Sequence, residues 1–294
     1  MISRRLALGL LAGGVLAACS DGGSGATGPT TAPGTRPVKT VRYGDTETQV
    51  ADLWLPRPRP TEPVGVVVLI HGGFWRPIYD RTLMEPLARD VIRRGWAAWN
   101  LEYRASGGGG GGWPATFEDV AAGIDALVPE ADRQRLDLER VVTVGHSAGG
   151  CLSLWAAARA GLPDDAPGAG PAVEPVLSVS QAGVNNLVAG SFEKLGNGAV
   201  DALMGVPPKE AGDRYTLASP VERLPIGVDQ VVVHGLDDEI VPVEQSTVYA
   251  GKAKEAGDEV TVITVEGADH FDVIDPAHRA WKRTAKEIAK ALDE

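Results

Sequence analysis

The chain of 294 residues is poor in cysteine, with only 2, and poor in basic side chains, with 28 Lys and Arg against 39 Asp and Glu. Two cysteines cannot build a disulfide-dense scaffold. A formal net charge of −11 argues against a nucleic-acid binder, which needs a basic face, so no nucleic-acid partner is expected. There is no HExxH, no Cys/His spacing of the zinc type and no phosphate-binding P-loop, so neither a metal nor an organic cofactor is expected. No apolar run reaches the roughly 20 residues that a membrane-crossing helix needs. What remains, 44% hydrophobic and 23% charged, is neither disordered nor fibrous in composition.

Glycine and proline are plentiful, 37 and 21 residues, and they are not spread evenly. Residues 1–18 have the layout of a bacterial export signal. Arg4 and Arg5 are followed by an apolar stretch of 13 residues, Leu6 to Ala18. Ser3-Arg4-Arg5 also resembles part of a twin-arginine export signal. The stretch ends in Leu16-Ala17-Ala18-Cys19, which resembles the lipobox of bacterial lipoproteins. That resemblance implies cleavage before Cys19, a diacylglycerol on its sulfur, and anchoring to the outer face of the cytoplasmic membrane or in the outer membrane or periplasm. Loss of residues 1–18 removes two arginines and leaves 26 basic against 39 acidic side chains, a net charge of −13. Of residues 20–37, 14 are Gly, Pro, Ser or Thr, a composition expected to serve as a flexible tether. One folded domain is therefore expected over residues 38–294.

Within it, strand-like and helix-like segments alternate. Val66 to Ile70 is a continuous apolar run, as a strand buried on both faces requires. A helix is expected over 80–94, a strand over 96–102, a helix over 116–128, a strand over 141–144 and a helix over 148–160. Further strands are expected at 176–180, 231–233 and 260–265, with a last helix after Pro276. Two strand-like stretches in 38–57 suggest an antiparallel hairpin at a sheet edge. The pattern is that of an α/β fold with a mostly parallel sheet covered on both faces. Residues 186–225 break the alternation and are expected to form a short cap over the C-terminal edge of the sheet, where ligands bind in open α/β folds.

Gly145-His146-Ser147-Ala148-Gly149 stands between a buried strand and a small-residue helix. This is the setting in which G-x-S-x-G presents a nucleophilic serine, with small neighbours allowing a sharp turn. A serine needs a base. Of the five histidines, His270 lies in the loop after the last strand, where it can reach a neighbouring strand end. The base needs an orienting acid, and Asp237 and Asp238 both follow the strand at 231–233.

These segments resemble the α/β-hydrolase fold of serine esterases, over most of residues 50–290. The stretch HGLDDEIVP matches that family's HG-x-x-D-x-x-VP pattern and so implies Asp238 as the acid, with Asp237 as competitor. GADHF matches its histidine loop and implies His270. His71-Gly72-Gly73-Phe74-Trp75 resembles the HGG motif of hormone-sensitive-lipase-like esterases, and more closely the HGG-aromatic-Trp motif of kynurenine formamidases. The resemblance implies an oxyanion hole from the N–H groups of Gly73, Phe74 and Ala148. Trp75 and Trp113 are candidate apolar walls of the substrate site. The six-glycine run Gly107 to Gly112 is either a flank of that site or a surface loop. Arg104 is read as structural, pairing with Glu118 or Asp119, and Cys151 as an inert core thiol.

The implied activity is hydrolysis of a small carboxylic ester by Ser147, His270 and Asp238 through an acyl-enzyme. An arylformamidase, other amidase or peptidase uses the same triad, although a prolyl peptidase usually carries a propeller domain lacking here. A rival of another class is a non-catalytic lipoprotein that binds a ligand in the cleft.

Overall fold

The computed structural model describes residues 36–293. The signal, Cys19 and most of the tether lie outside the described residues. Eight strands form one sheet: β1 Lys39–Arg42, β2 Val50–Trp54, β3 Val64–Ile70, β4 Ala97–Leu101, β5 Leu136–His146, β6 Leu177–Gln181, β7 Asp229–Gly235 and β8 Val260–Val265. Their order is β1-β2-β4-β3-β5-β6-β7-β8. The hairpin β1–β2 runs antiparallel at one edge and joins β4 antiparallel; the remaining pairings are parallel.

Strand β3 explains the two cores. Side chains alternate between faces with period two. Val66, Val68 and Ile70 enter one core and Val67 and Leu69 the other. The helices are α1 Glu85–Arg93, α2 Ala115–Asp125, α3 Ala131–Gln134, α4 Ala148–Ala157, α5 Leu187–Phe192, α6 Leu195–Met204, α7 Arg214–Ala218, α8 Glu244–Ala256 and α9 Arg279–Asp293. Helices α1 and α9 cover the Val67 face, and α2 and α4 the Val66 face. Helix α8 packs with β7 and β8 in a third, smaller core.

Three boundaries depart from expectation for local reasons. Residues 81–84 form a 3₁₀ helix rather than an α-helical turn, with Asp80 as its N-cap, its carboxylate accepting the Thr82 N–H at 2.8 Å; α1 begins at Glu85 with Pro86 in its first turn. Helix α2 stops at Asp125, short of Val128, which precedes Pro129 and so disfavours helical backbone. Helix α8 is absent from the sequence expectation. Its buried face consists of Gln245, Ser246, Tyr249, Ala250 and Ala253, too polar and small to read as an apolar stripe.

The functional consequence lies in strand order. The chain leaves β3 for β4 on one side and then places β5 on the other, so the C-terminal ends of β3 and β5 flank the switch point where α/β sheets bind ligands. Register pairs Ile70 with Gly145, which sets the loop after β3 beside the turn after β5. The segment holding α5, α6 and α7 lies against the first of these loops: Gly196 approaches the Phe74 ring, and the Arg76 guanidinium donates to the Gly196 carbonyl.

Candidate active site

Ser147 sits at the turn between β5 and α4 with φ 53° and ψ −118°, a strained backbone for any side chain. Its N–H donates to the Gln181 carbonyl at 2.8 Å, and its carbonyl accepts from Gly150 N–H at 2.9 Å. The two motif glycines are dictated by contact. A β-carbon on Gly145 would lie 1.8 Å from the Gly149 carbonyl oxygen, and one on Gly149 would lie 2.1 Å from that of Ile70.

The loops after β7 and β8 meet across Gly235, where a β-carbon would stand 2.2 Å from the Ala268 carbonyl oxygen. That contact brings Asp238 to His270. The His270 Nδ1–H donates to Asp238 Oδ2 at 2.7 Å. Asp237 is exposed, and its N–H donates to the Ala268 carbonyl at 3.0 Å. The Asp238 side chain is only 1% exposed. Burial raises its pKa, but hydrogen bonds from His234, His270 and the Val241 N–H outweigh burial and hold the carboxyl well below the usual range. Oδ1 accepts N–H bonds from Ile240 at 2.8 Å and Val241 at 2.9 Å. His234, buried, lies with Nε2 3.2 Å from Asp238 Oδ2 and 2.9 Å from the Val241 carbonyl. Both neighbours accept only, so His234 carries its proton on Nε2. Its support of Asp238 is not visible in composition; the spacing of His234 and Asp238 in HG-x-x-D is the signal for it.

On the opposite wall, Gly73, Phe74 and Trp75 take φ of 110°, 53° and 54°. Two consecutive non-glycine residues in the left-handed region need strong fixing. Trp75 supplies it. Its side chain is fully buried in the core, and its carbonyl accepts from the Ser106 N–H at 2.8 Å and hydroxyl at 3.0 Å. Among the described residues the N–H groups of Gly73 and Phe74 have no protein acceptor, and the Ala148 N–H opens α4, where no intrahelical acceptor exists. These three donors flank the Ser147 turn.

Beneath this loop, the His71 ring stacks on Tyr103 at 4.3 Å and meets Glu102 Oε1 through Nε2 at 2.9 Å. The Tyr103 hydroxyl donates to the His71 carbonyl at 2.9 Å. Burial, and then the charge of Glu102, keep that phenol protonated far above its usual range. This buried brace was not anticipated.

Ser147 and His270 open on one cleft of about 50 Å³, walled by Phe74, Tyr79, Leu83, Ile240 and Phe271. No hydrogen bond joins the Ser147 hydroxyl to His270 among the described residues. The expectation for the walls is corrected. Positive φ turns Trp75 down into the core, and Trp113 packs edge-on against Phe117 at 5.2 Å, outside the cleft. The glycine run divides: Gly107 lines a neighbouring cavity of about 310 Å³ with Phe74 and Arg76, while Gly111 N–H donates to the Ala105 carbonyl at 2.9 Å. Arg104 clamps Asp119, not Glu118, through Nε at 2.8 Å and Nη2 at 2.7 Å. Cys151 is buried, and burial pushes its thiol far above the ordinary range. Among the described residues no group of three or more His, Cys, Asp or Glu converges as a metal site requires.

The BD-FAE family profile matches residues 51–252, more than half of the chain. The chain belongs to the BD-FAE family. Esterase LipC of Mycobacterium tuberculosis is 28% identical over 269 residues, covering 86% of this BD-FAE chain and 64% of LipC, so the chain spans less than two thirds of that relative. Among solved structures, a truncated carbohydrate esterase from gut microbiota is 21% identical with a TM-score of 0.77, covering 90% of this chain and 99% of that one. The Thermogutta terrifontis esterase Est2 is 21% identical with a TM-score of 0.70, covering 88% and 95%. At these identities the structural likeness establishes the fold, which is the α/β-hydrolase fold of these esterases.

Proposed function

We propose that this BD-FAE protein is a serine hydrolase that cleaves small carboxylic esters through an acyl-enzyme. The observation that carries the reading is the convergence of Ser147, His270 and Asp238 beside three free N–H donors. Ser147 Oγ attacks the ester carbonyl while His270 Nε2 takes its proton. Asp238 holds the ring with Nδ1–H toward itself and stabilises the imidazolium. The oxyanion draws on the N–H groups of Gly73, Phe74 and Ala148. His270 then protonates the leaving alcohol, and water repeats the sequence in reverse. The missing Ser147–His270 hydrogen bond is compatible with this, since such bonds tighten when substrate binds.

A cleft of about 50 Å³ closed in by Phe74, Tyr79, Leu83, Ile240 and Phe271 favours a short acyl chain. The Est2 structures hold propionate or butyrate, in line with that preference. The same groups would cleave an amide, and the HGGFW motif keeps an arylformamidase as the second reading. We further propose that Cys19 carries a lipid that holds the enzyme at the outer side of a bacterial membrane. Ser147→Ala should lower kcat on p-nitrophenyl acetate by about 10³-fold or more; turnover near that of the unaltered protein would refute the triad.

A further inference from the structure

We propose that His146, the residue before the nucleophile, is a positioning residue whose ring N–H fixes the backbone of His270 so that the catalytic imidazole faces Ser147. The proposal rests on the hydrolase reading above. His146 closes β5 and is 1% exposed. Its Nε2 lies 2.9 Å from the His270 carbonyl oxygen. A carbonyl only accepts, so Nε2 bears the proton. The two rings sit 4.7 Å apart, tilted by 51°.

The second ring nitrogen makes the arrangement informative. Nδ1 is buried without a hydrogen-bond partner, against the backbone of Gly72. A buried acceptor left unpaired is a net cost. Among the described residues the ring's protein hydrogen bond is therefore made by Nε2. Its one satisfied atom is the donor aimed at the catalytic histidine.

His270 is held by its ring to Asp238 and packs against the rings of His146 and Phe271. The His146 clamp adds a second fixed point, on the backbone of the same residue. The titratable groups facing His146 are His270 and Asp238, from the loops after β8 and β7, and His71, from the end of β3. Burial first, then the neighbouring His270, push the His146 pKa down to about 3, against the opposing pull of its hydrogen bond and of Asp238. The ring is therefore neutral across the working range. It donates to the carbonyl without placing a positive charge beside the imidazolium that forms on His270.

The test compares His146→Met, which removes the donor, with His146→Gln, whose amide reaches the same position. On p-nitrophenyl acetate, the Met variant should lose about tenfold or more in kcat with KM within about twofold, because misplacement of a reacting group falls on the chemical step. The Gln variant should recover most of the loss. Unchanged kcat in the Met variant, or equal losses in both variants, would overturn the proposal. A second measurement needs no variant and no activity. Histidine ¹⁵N shifts of the unaltered protein should place His146 in the neutral Nε2–H tautomer from about pH 5 to 9; an Nδ1–H tautomer or a titrating ring would refute the clamp. Failure of the hydrolase reading would appear separately, as no turnover by the unaltered protein or as full activity of Ser147→Ala, and the tautomer measurement decides the clamp in either case.

Discussion

At the residue scale, the site is set by which side chains the backbone permits. Gly145 and Gly149 face carbonyl oxygens at distances that exclude any β-carbon, so the serine turn has no freedom at either end. Gly145→Ala should lower stability by more than about 3 kcal/mol, beyond ordinary overpacking, because backbone rather than side chain must yield; the denaturant midpoint measures it. Ser147, His270 and Asp238 were legible because each sits in a short motif with a fixed place relative to a strand end. The choice of Asp238 over Asp237 came from that pattern, and the carboxylate that meets His270 is Asp238. Trp75 was misread because an aromatic after two glycines looks like a pocket wall. Its left-handed backbone, which points it into the core, is not written in its residue type. His146 meets the His270 carbonyl across 124 residues of sequence, a contact that only the assembled sheet reveals, whereas the His234–Asp238 contact is local and is carried by the HG-x-x-D spacing.

At the element scale, the buried strands were easy to recognise because runs such as Val66 to Ile70 fill both cores. Helix α8 was hidden by its polar inner face, as its packing needs only Tyr249, Ala250 and Ala253 against a small core. Helices α1 and α9 are tied by one polar contact across an apolar seam: Trp281 Nε1–H donates to Asp90 Oδ2 at 2.7 Å, and Arg94 Nε donates to the same oxygen at 2.6 Å. Burial raises the Asp90 pKa, but the hydrogen bonds from Trp281 and Arg94 and the charges of Arg94 and Arg93 win, and the net shift is downward. A lowered folded-state pKa means stability that is present above the ordinary carboxylate value of 3.8 and lost as pH falls below it. Asp90→Ala should therefore cost about 1–3 kcal/mol near neutral pH, leaving the buried indole N–H unpaired. The difference from the unaltered protein should shrink in melts taken toward pH 3.

At the scale of the whole molecule, strand order brings the loop after β3, the Ser147 turn and the loops that hold Asp238 and His270 to one edge of one sheet. The alternation of segments disclosed the α/β architecture and the edge hairpin. It did not disclose the form of residues 186–225, whose short helices α5, α6 and α7 carry no long periodic stripe. The proposed lipid anchor belongs to this scale too. No helix among the described residues is long and apolar enough to cross a membrane. Fatty-acid labelling of expressing bacteria should tag the unaltered protein and not Cys19→Ser. Absence of label on the unaltered protein would refute lipidation.

The central claim is that Ser147 is an activated nucleophile. Its most direct test is reaction with a fluorophosphonate, followed by intact mass and peptide mapping. One adduct per chain, located on Ser147 and absent in Ser147→Ala, is the predicted result. No adduct on the folded protein, or an adduct on another residue, would contradict the account.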